Sequence, residues 1–252
     1  MPRIATVINY CTNDYRFIKQ CIDAVRPFSK QIIVPVSDHF FDGTLENREL
    51  LQKTFDENPG VTFIEYEWDS LSGGKDLGPR YWHNMSRIIG VNQTADDIEQ
   101  VLFLDSDEIM DSTLFTKFVT ENRLSYDSYK IAAYWYFREP IYRATRLTGP
   151  AVLIKRRKIR INPFSPWERE QMFDLLEGAT KLEDATYKGE VMLHHYSWVR
   201  TKEQMLKKVQ SWGHKGEKNW VELVEEEFSR PFNGKDFVHG FEYKVVENKF
   251  DL

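Results

Sequence analysis

Short apolar runs and amphipathic stretches alternate along the first hundred residues of the chain. Ile4 to Asn9 is a compact run of strand-forming residues. Phe17, Ile18, Cys21, Ile22 and Val25 follow, spaced to lay one apolar stripe along a helix that Pro27 closes. Gln31 to Val36 is again strand-like, and Thr44 is placed to cap a helix carrying Leu50, Leu51 and Phe55. Asn58-Pro59-Gly60 turns the chain into a third strand, Val61 to Tyr66. After a glycine-containing loop, Ser72 to Gly78, the pattern predicts a helix from Pro79 to about Asn92. A fourth strand, Val101 to Leu104, runs straight into Asp105-Ser106-Asp107-Glu108. This order predicts an α/β fold, a mostly parallel sheet with helices on both faces.

The second half is less regular. A helix is expected after Asp111 and Ser112, and Tyr129 to Phe137 alternates with Ile131, Ala133, Trp135 and Phe137 on one side, suiting a strand packed on one face. Ala151 to Ile154 and Val191 to His195 read as further strands, with a loop and helix expected between them over Pro163 to Glu183. Met205, Leu206, Val209 and Trp212 give helical spacing from Thr201 onward, and a charged helical tail is expected beyond.

Composition narrows the class. With 41% apolar residues in 252, the chain has ample material for one packed core, and no repeat or Pro/Gly/Ser linker divides it. The longest near-continuous apolar run, Ile131 to Phe137, is far short of the ~20 residues that span a bilayer. Met1-Pro2-Arg3 leads at once into a strand pattern with no signal-peptide character, and Cys11 and Cys21 read as reduced thiols, so a cytoplasmic protein is expected. Lys plus Arg number 34 against 39 Asp plus Glu, a net charge of −5 that argues against a general nucleic-acid binder.

The sharpest chemistry lies at Asp105-Ser106-Asp107-Glu108. Ligands of open parallel sheets bind beyond the carboxyl ends of the strands, where this cluster sits. Residues i and i+2 of extended chain project to one side, so Asp105 and Asp107 can converge. Convergent carboxylates repel unless a cation lies between them, and Mg²⁺ or Mn²⁺ is the natural occupant.

An apolar strand ending in Asp-Xaa-Asp resembles the metal motif of GT-A-fold glycosyltransferases, and Asp-Ser-Asp-Glu is similar to the form in family 2, the inverting enzymes. Other segments fit in order. Asn9 to Asp14 resembles the first-strand nucleotide loop, Val36 to Thr44 the second-strand loop ending Asp-Gly-Thr, and Gly78 to Asn84 the Gly-Xaa-Xaa-Xaa-Ala-Arg-Asn region with its spacing stretched. His194-His195-Tyr196-Ser197-Trp198-Val199-Arg200, then Lys207 and Lys208, is similar to a later His-Tyr-(Gly/Ser)-Trp-Val-Arg…Lys segment. The likeness covers roughly residues 4 to 212. It implies one GT-A (Rossmann-like) domain over residues 1–252, with a nucleotide-sugar-binding half at about 1–110 and an acceptor half at about 111–252. The implied activity is metal-dependent transfer of a sugar from a nucleotide-diphosphate sugar to a glycan or other hydroxyl acceptor.

The resemblance and the residue chemistry together nominate site residues. Asp105, Asp107 and His195 are the candidate metal ligands, with His194 the alternative, since strand alternation lets only one histidine face the site. Tyr10 can stack on a base, Asp38 can accept from a ribose or base, and Arg80, Arg200 and Lys208 can meet the diphosphate, with Asp105 beside them. Trp135, Tyr136, Trp167 and Trp198 offer flat faces of the kind sugars pack against. The base implied for inversion falls among Glu168, Glu170, Asp174, Glu177, Glu183 and Asp184; on a helix Glu170, Asp174 and Glu177 share a face and are favoured. Two other readings use the same features: a nucleotidyltransferase, although its usual glycine-rich loop is absent at Tyr10 to Asp14, and a non-catalytic carbohydrate-binding protein on the same fold.

Overall fold

A computed structural model describes residues 1–40, 43–67, 77–122, 124–212 and 216–252. The described strands form one sheet in the order Thr62–Tyr66, Ser29–Ser37, Ile4–Asn9, Gln100–Asp105, Glu139–Lys155, Ser128–Phe137, Leu193–Trp198, Glu108–Met110. β1 (Ile4–Asn9), β2 (Ser29–Ser37), β3 (Thr62–Tyr66) and β4 (Gln100–Asp105) are mutually parallel, with α1 (Tyr15–Val25), α2 (Arg48–Glu57) and α3 (Pro79–Asn92) as crossovers. Register pairs Asn9 with Asp105 and Ser37 with Tyr66, so four carboxyl ends meet at one edge.

Alternation along these strands sorts the two faces. Ile4, Ile8, Leu102 and Leu104 pack with the apolar stripe of α1 and with Phe115 and Phe118 of α4 (Ser112–Glu121). Ala5, Val7, Val101 and Phe103 face the opposite layer, with Met172 and Phe173, while α3 lies across β1 and β2. Capping follows local chemistry: Asp111 accepts from Leu114 N and starts α4, and Pro79 opens α3 behind Gly78. α2 is capped by Asn47, not Thr44, because residues 39 and 45 form an isolated bridge that keeps the chain extended past Thr44.

The second half departs further from its pattern. β5 (Glu108–Met110) forms at once beyond a turn at Ser106 and Asp107. β6 (Ser128–Phe137) is buried on both faces, so its alternation is not an inside-outside signal. The expected strand at Ala151 to Ile154 is the end of the long β7 (Glu139–Lys155), antiparallel to β4 and β6. The helix expected within Pro163 to Glu183 does not form. Only a 3₁₀ turn at Arg169–Met172 appears there, followed by β8 (Lys181–Ala185), because the segment is tied down by side-chain contacts instead of an amphipathic face. β9 (Leu193–Trp198) runs parallel to β6 and antiparallel to β5. α5 (Lys202–Ser211) starts on a Thr201–Gln204 capping box, and α6 (Trp220–Phe228) packs against it. The tail is not wholly helical, since β10 (Tyr243–Val245) pairs with β7. Trp198, Trp212, Trp220 and Phe237 form the aromatic centre of this end. Among the described residues no helix is long and apolar enough to cross a membrane.

Candidate active site

A cleft opens at the carboxyl ends of β1 to β4. One wall is aromatic: Tyr10, Phe40, Tyr66 and Trp82 line it. Tyr66 stacks on Trp82 at 6.3 Å, and the Tyr10 hydroxyl is held by Thr54 Oγ1 at 2.8 Å, which fixes both rings. Asp105, Asp107, His195 and Lys208 also line the cleft, as do Glu168 and His83.

The carboxylates are arranged by pairing. Asp105 accepts from Arg87 Nη2 at 3.2 Å on one oxygen and from Arg169 Nη2 at 3.0 Å on the other. Arg169 also forms a two-pronged bridge to the fully buried Glu108, at 2.7 and 2.8 Å, and Glu108 accepts from the Asp105 amide at 2.9 Å. Asp107 lies 3.3 Å from His195 Nε2, 3.7 Å from Lys208 and 3.8 Å from Arg200. Burial pushes the Asp107 carboxyl up, but His195, Lys208 and Arg200 outweigh it and hold the group far below the usual carboxylate range. Burial lowers His195 and Asp107 raises it, with a net upward shift.

Strand pairing explains why one histidine faces the cleft. β9 lies against β5 with Glu108 opposite His195 and Ile109 opposite His194. His194 therefore turns to the opposite layer, where the Tyr136 hydroxyl meets its Nδ1 at 2.8 Å and burial lowers its pKa to about 3.

The structure brings some nominated residues together and separates others. Asp105, Asp107, His195, Lys208 and Tyr10 all line the cleft. Asp105, expected beside Asp107 and His195 as a metal ligand, has both oxygens engaged by arginines; among the described residues no group of three or more His, Cys, Asp or Glu gathers as a metal cage. Arg200 is buried behind Asp107, donating to Asn13 O at 2.8 Å, to Ser197 O at 2.9 Å and to Asp14. Asp38 pairs with His39 at 2.8 Å. Arg80 is exposed on the first turn of α3 and lines a neighbouring depression instead. Asp42 of the second-strand loop and residues 72–76 of the glycine-containing loop lie outside the described residues.

The favoured base candidates also shift. Without a helix, Glu170, Asp174 and Glu177 share no face toward the cleft. Asp174 pairs with Lys130 at 3.5 Å in solvent, Glu177, Glu183 and Asp184 are exposed, and Glu170 caps the Glu168 amide. Of the six acids, Glu168 lines the cleft, 3.3 Å from Arg87 Nη1 and 3.8 Å from His83 Nδ1. Burial raises its pKa, but His83, Arg87 and Arg169 hold it at about 2. Arg87 and Arg169 escaped the sequence reading, and Glu108, read there as part of the carboxylate cluster, was given no role as the partner of Arg169. Arg87 carried a signal, since it lies seven residues beyond Arg80 on the same helical line; Arg169, in a segment without periodicity, carried none.

The fold is Rossmann-like α/β and is shared with solved proteins. The mannosyltransferase PcManGT of Pyrobaculum calidifontis, in complex with GDP-Man and Mn²⁺, aligns with a TM-score of 0.50 at 10% identity, over 83% of this chain and 61% of that one. A 4-diphosphocytidyl-2C-methyl-D-erythritol synthase of Anaerococcus prevotii aligns at 0.47 and 9% identity, over 91% and 99% of the two chains. Rv0371c of Mycobacterium tuberculosis, complexed with manganese, aligns at 0.46 and 8% identity, over 81% and 95%. At 10% identity the likeness to PcManGT is one of fold. No family model matches the chain, and no curated protein matches its sequence.

Proposed function

We propose that the chain is a metal-dependent glycosyltransferase of GT-A type, moving a sugar from a nucleotide-diphosphate sugar to a glycan or other hydroxyl acceptor with inversion. One observation carries this reading: a cleft at the carboxyl ends of parallel strands whose aromatic wall leads directly onto Asp107, His195 and Lys208. The wall suits a nucleobase, and the Lys208 ammonium beneath it suits a diphosphate. In this reading residues up to about 110 form most of the donor side, and His195 and Lys208 complete it from the second half.

The residues present fit a divalent cation. Asp107 Oδ1 is buried without a hydrogen-bond donor and faces an imidazole nitrogen, an O,N pair that Mn²⁺ accepts, leaving its other positions to water and phosphate oxygens. Asp107 and His195 would hold it, while Asp105, clamped by two arginines, orients the turn. Bound there, Mn²⁺ or Mg²⁺ supplies neutralisation of the charge that grows on the departing diphosphate.

The transfer needs few further parts. The acceptor oxygen bonds to the anomeric carbon, the bond from that carbon to the diphosphate oxygen breaks with its electron pair on the diphosphate, and the hydroxyl proton passes to a carboxylate. Glu168 is assigned that role because it is the candidate on the cleft. Arg200 positions Asp107 from behind. Calorimetric titration with UDP, GDP, CDP and dTDP, with and without Mn²⁺, tests the donor site. At least one should bind in a Mn²⁺-dependent way that Asp107→Asn weakens; absence of binding by all four in both conditions refutes the reading.

A further inference from the structure

The fold treats the four aromatic residues nominated from the sequence as sugar-packing faces differently. Trp135, Tyr136 and Trp198 are 7%, 1% and 1% exposed and belong to the core. Trp167 is 52% exposed, yet its backbone is firmly held. Its carbonyl accepts from Asn84 Nδ2 at 3.1 Å and from Gln171 Nε2 at 2.9 Å, and its amide donates to Ser165 Oγ at 3.1 Å. Asn84 is itself fully buried in α3 and bonded to Gln171, so the indole stands on a rigid support. An indole half in solvent on a held backbone offers a flat face to a ligand, and the held backbone lowers the entropy lost on binding.

Beside Trp167 lies a depression of about 410 Å³, lined also by Arg80, Lys130, Gly149, Glu168 and Glu170. Its lining is mixed: Pro150, Val152, Pro166 and Phe173 join the indole as apolar surface, and Arg80, Lys130, Glu168 and Glu170 supply charged groups. That combination suits a pyranose, which has one C–H face to lay on an aromatic ring and a rim of hydroxyls to meet charged groups; a lipid chain would leave Arg80, Lys130 and Glu170 desolvated. Glu168 forms part of this depression and of the donor cleft alike.

We infer that the depression beside Trp167 is a saccharide subsite: a pyranose stacks on the exposed indole, with its hydroxyls toward Arg80, Lys130 and Glu170 and its edge toward Glu168. The inference rests on the proposed transferase reading for its role as the acceptor position, and it makes the acceptor a carbohydrate. Saturation-transfer-difference NMR on the full chain tests it. The probes are the methyl glycosides of glucose, galactose, mannose, N-acetylglucosamine, xylose and glucuronate, each alone and with UDP or GDP plus Mn²⁺. At least one should receive saturation. Trp167→Ala should weaken that binding about tenfold, Trp167→Phe should retain most of it, and unchanged melting temperatures should show that both variants fold. No saturation of any glycoside, or equal binding by the wild type and Trp167→Ala, overturns the subsite. The two readings fail separately: loss of nucleotide binding by the wild type refutes the donor cleft, whereas the glycoside result alone judges the subsite.

Discussion

Removing the Arg169 guanidinium should destabilise the fold far more than an exposed ion pair could. Arg169 holds three short contacts, at 2.7 and 2.8 Å to Glu108 and 3.0 Å to Asp105, and the side chains of Arg169 and Glu108 are 11% and 0% exposed. Arg169→Met leaves the buried Glu108 carboxyl without its main partner; breaking one partner of such a buried pair costs ~3–5 kcal/mol. That is a large part of the ~5–15 kcal/mol of a whole domain. Urea unfolding followed by circular dichroism measures it as a lower midpoint at nearly constant slope. The double variant Glu108→Gln/Arg169→Met removes the stranded charge while its amide oxygen can still accept from the Asp105 N–H, and should recover at least half of the loss. Arg169→Lys, which cannot form the two-pronged bridge, should fall between. A cost for Arg169→Met below ~1 kcal/mol, the value of a solvent-exposed pair, refutes the argument that this bridge anchors the segment from Pro163 to Leu176.

Three other outcomes follow from named contacts. His194 has its pKa lowered to about 3 by burial, so below the ordinary value near 6.5 the unfolded chain binds a proton that the folded one refuses; stability should fall by ~2 kcal/mol from pH 7 to pH 5, and His194→Gln should lose that share of the slope in urea titrations at the two pH values. An equal pH slope in the variant contradicts it. Gly90 of α3 lies against β1 so closely that an added Cβ would clash with Val7 Cγ1; Gly90→Ala should cost ~1–3 kcal/mol in thermal melts despite alanine's better helix propensity, and a variant as stable as the wild type would be inconsistent with this packing. Glu168→Gln should lower turnover ~10²–10⁴-fold while Glu170→Gln, Asp174→Asn and Glu177→Gln change it little, measured with saturating donor; a comparable loss at Glu170 instead moves the base there.

The parallel half of the fold was legible because each of its elements has its own pattern. Ile4 to Asn9, the stripe on α1 and the run into Asp105 announce strand or helix from a few neighbouring residues. The strand end at Asp105 also pointed to the candidate cleft, since the edge of an open sheet follows from topology alone. The second half was less legible for physical reasons. β6 is covered on both faces, so its alternation did not distinguish inside from outside; β5 is three residues long and exists by pairing with β9. The Pro163 to Glu183 segment owes its shape to Arg169 reaching Glu108 and to Asn84 holding Trp167, contacts separated by 61 and 83 residues that no local pattern records. Strand alternation did foresee that only one of His194 and His195 faces the site; which one required the register of β9 on β5.

The most direct test of the central claim is which bond the protein breaks. Wild-type protein with Mn²⁺ is incubated with UDP-, GDP-, CMP- and dTDP-sugars, and in parallel with nucleoside triphosphates and sugar phosphates, and the products are read by phosphorus NMR. Transfer, or slow hydrolysis without an acceptor, releases a free nucleotide from at least one nucleotide sugar, and Asp107→Asn abolishes that release. Pyrophosphate formed from a triphosphate, with every nucleotide sugar left intact, would contradict glycosyl transfer and assign the cleft to nucleotidyl chemistry.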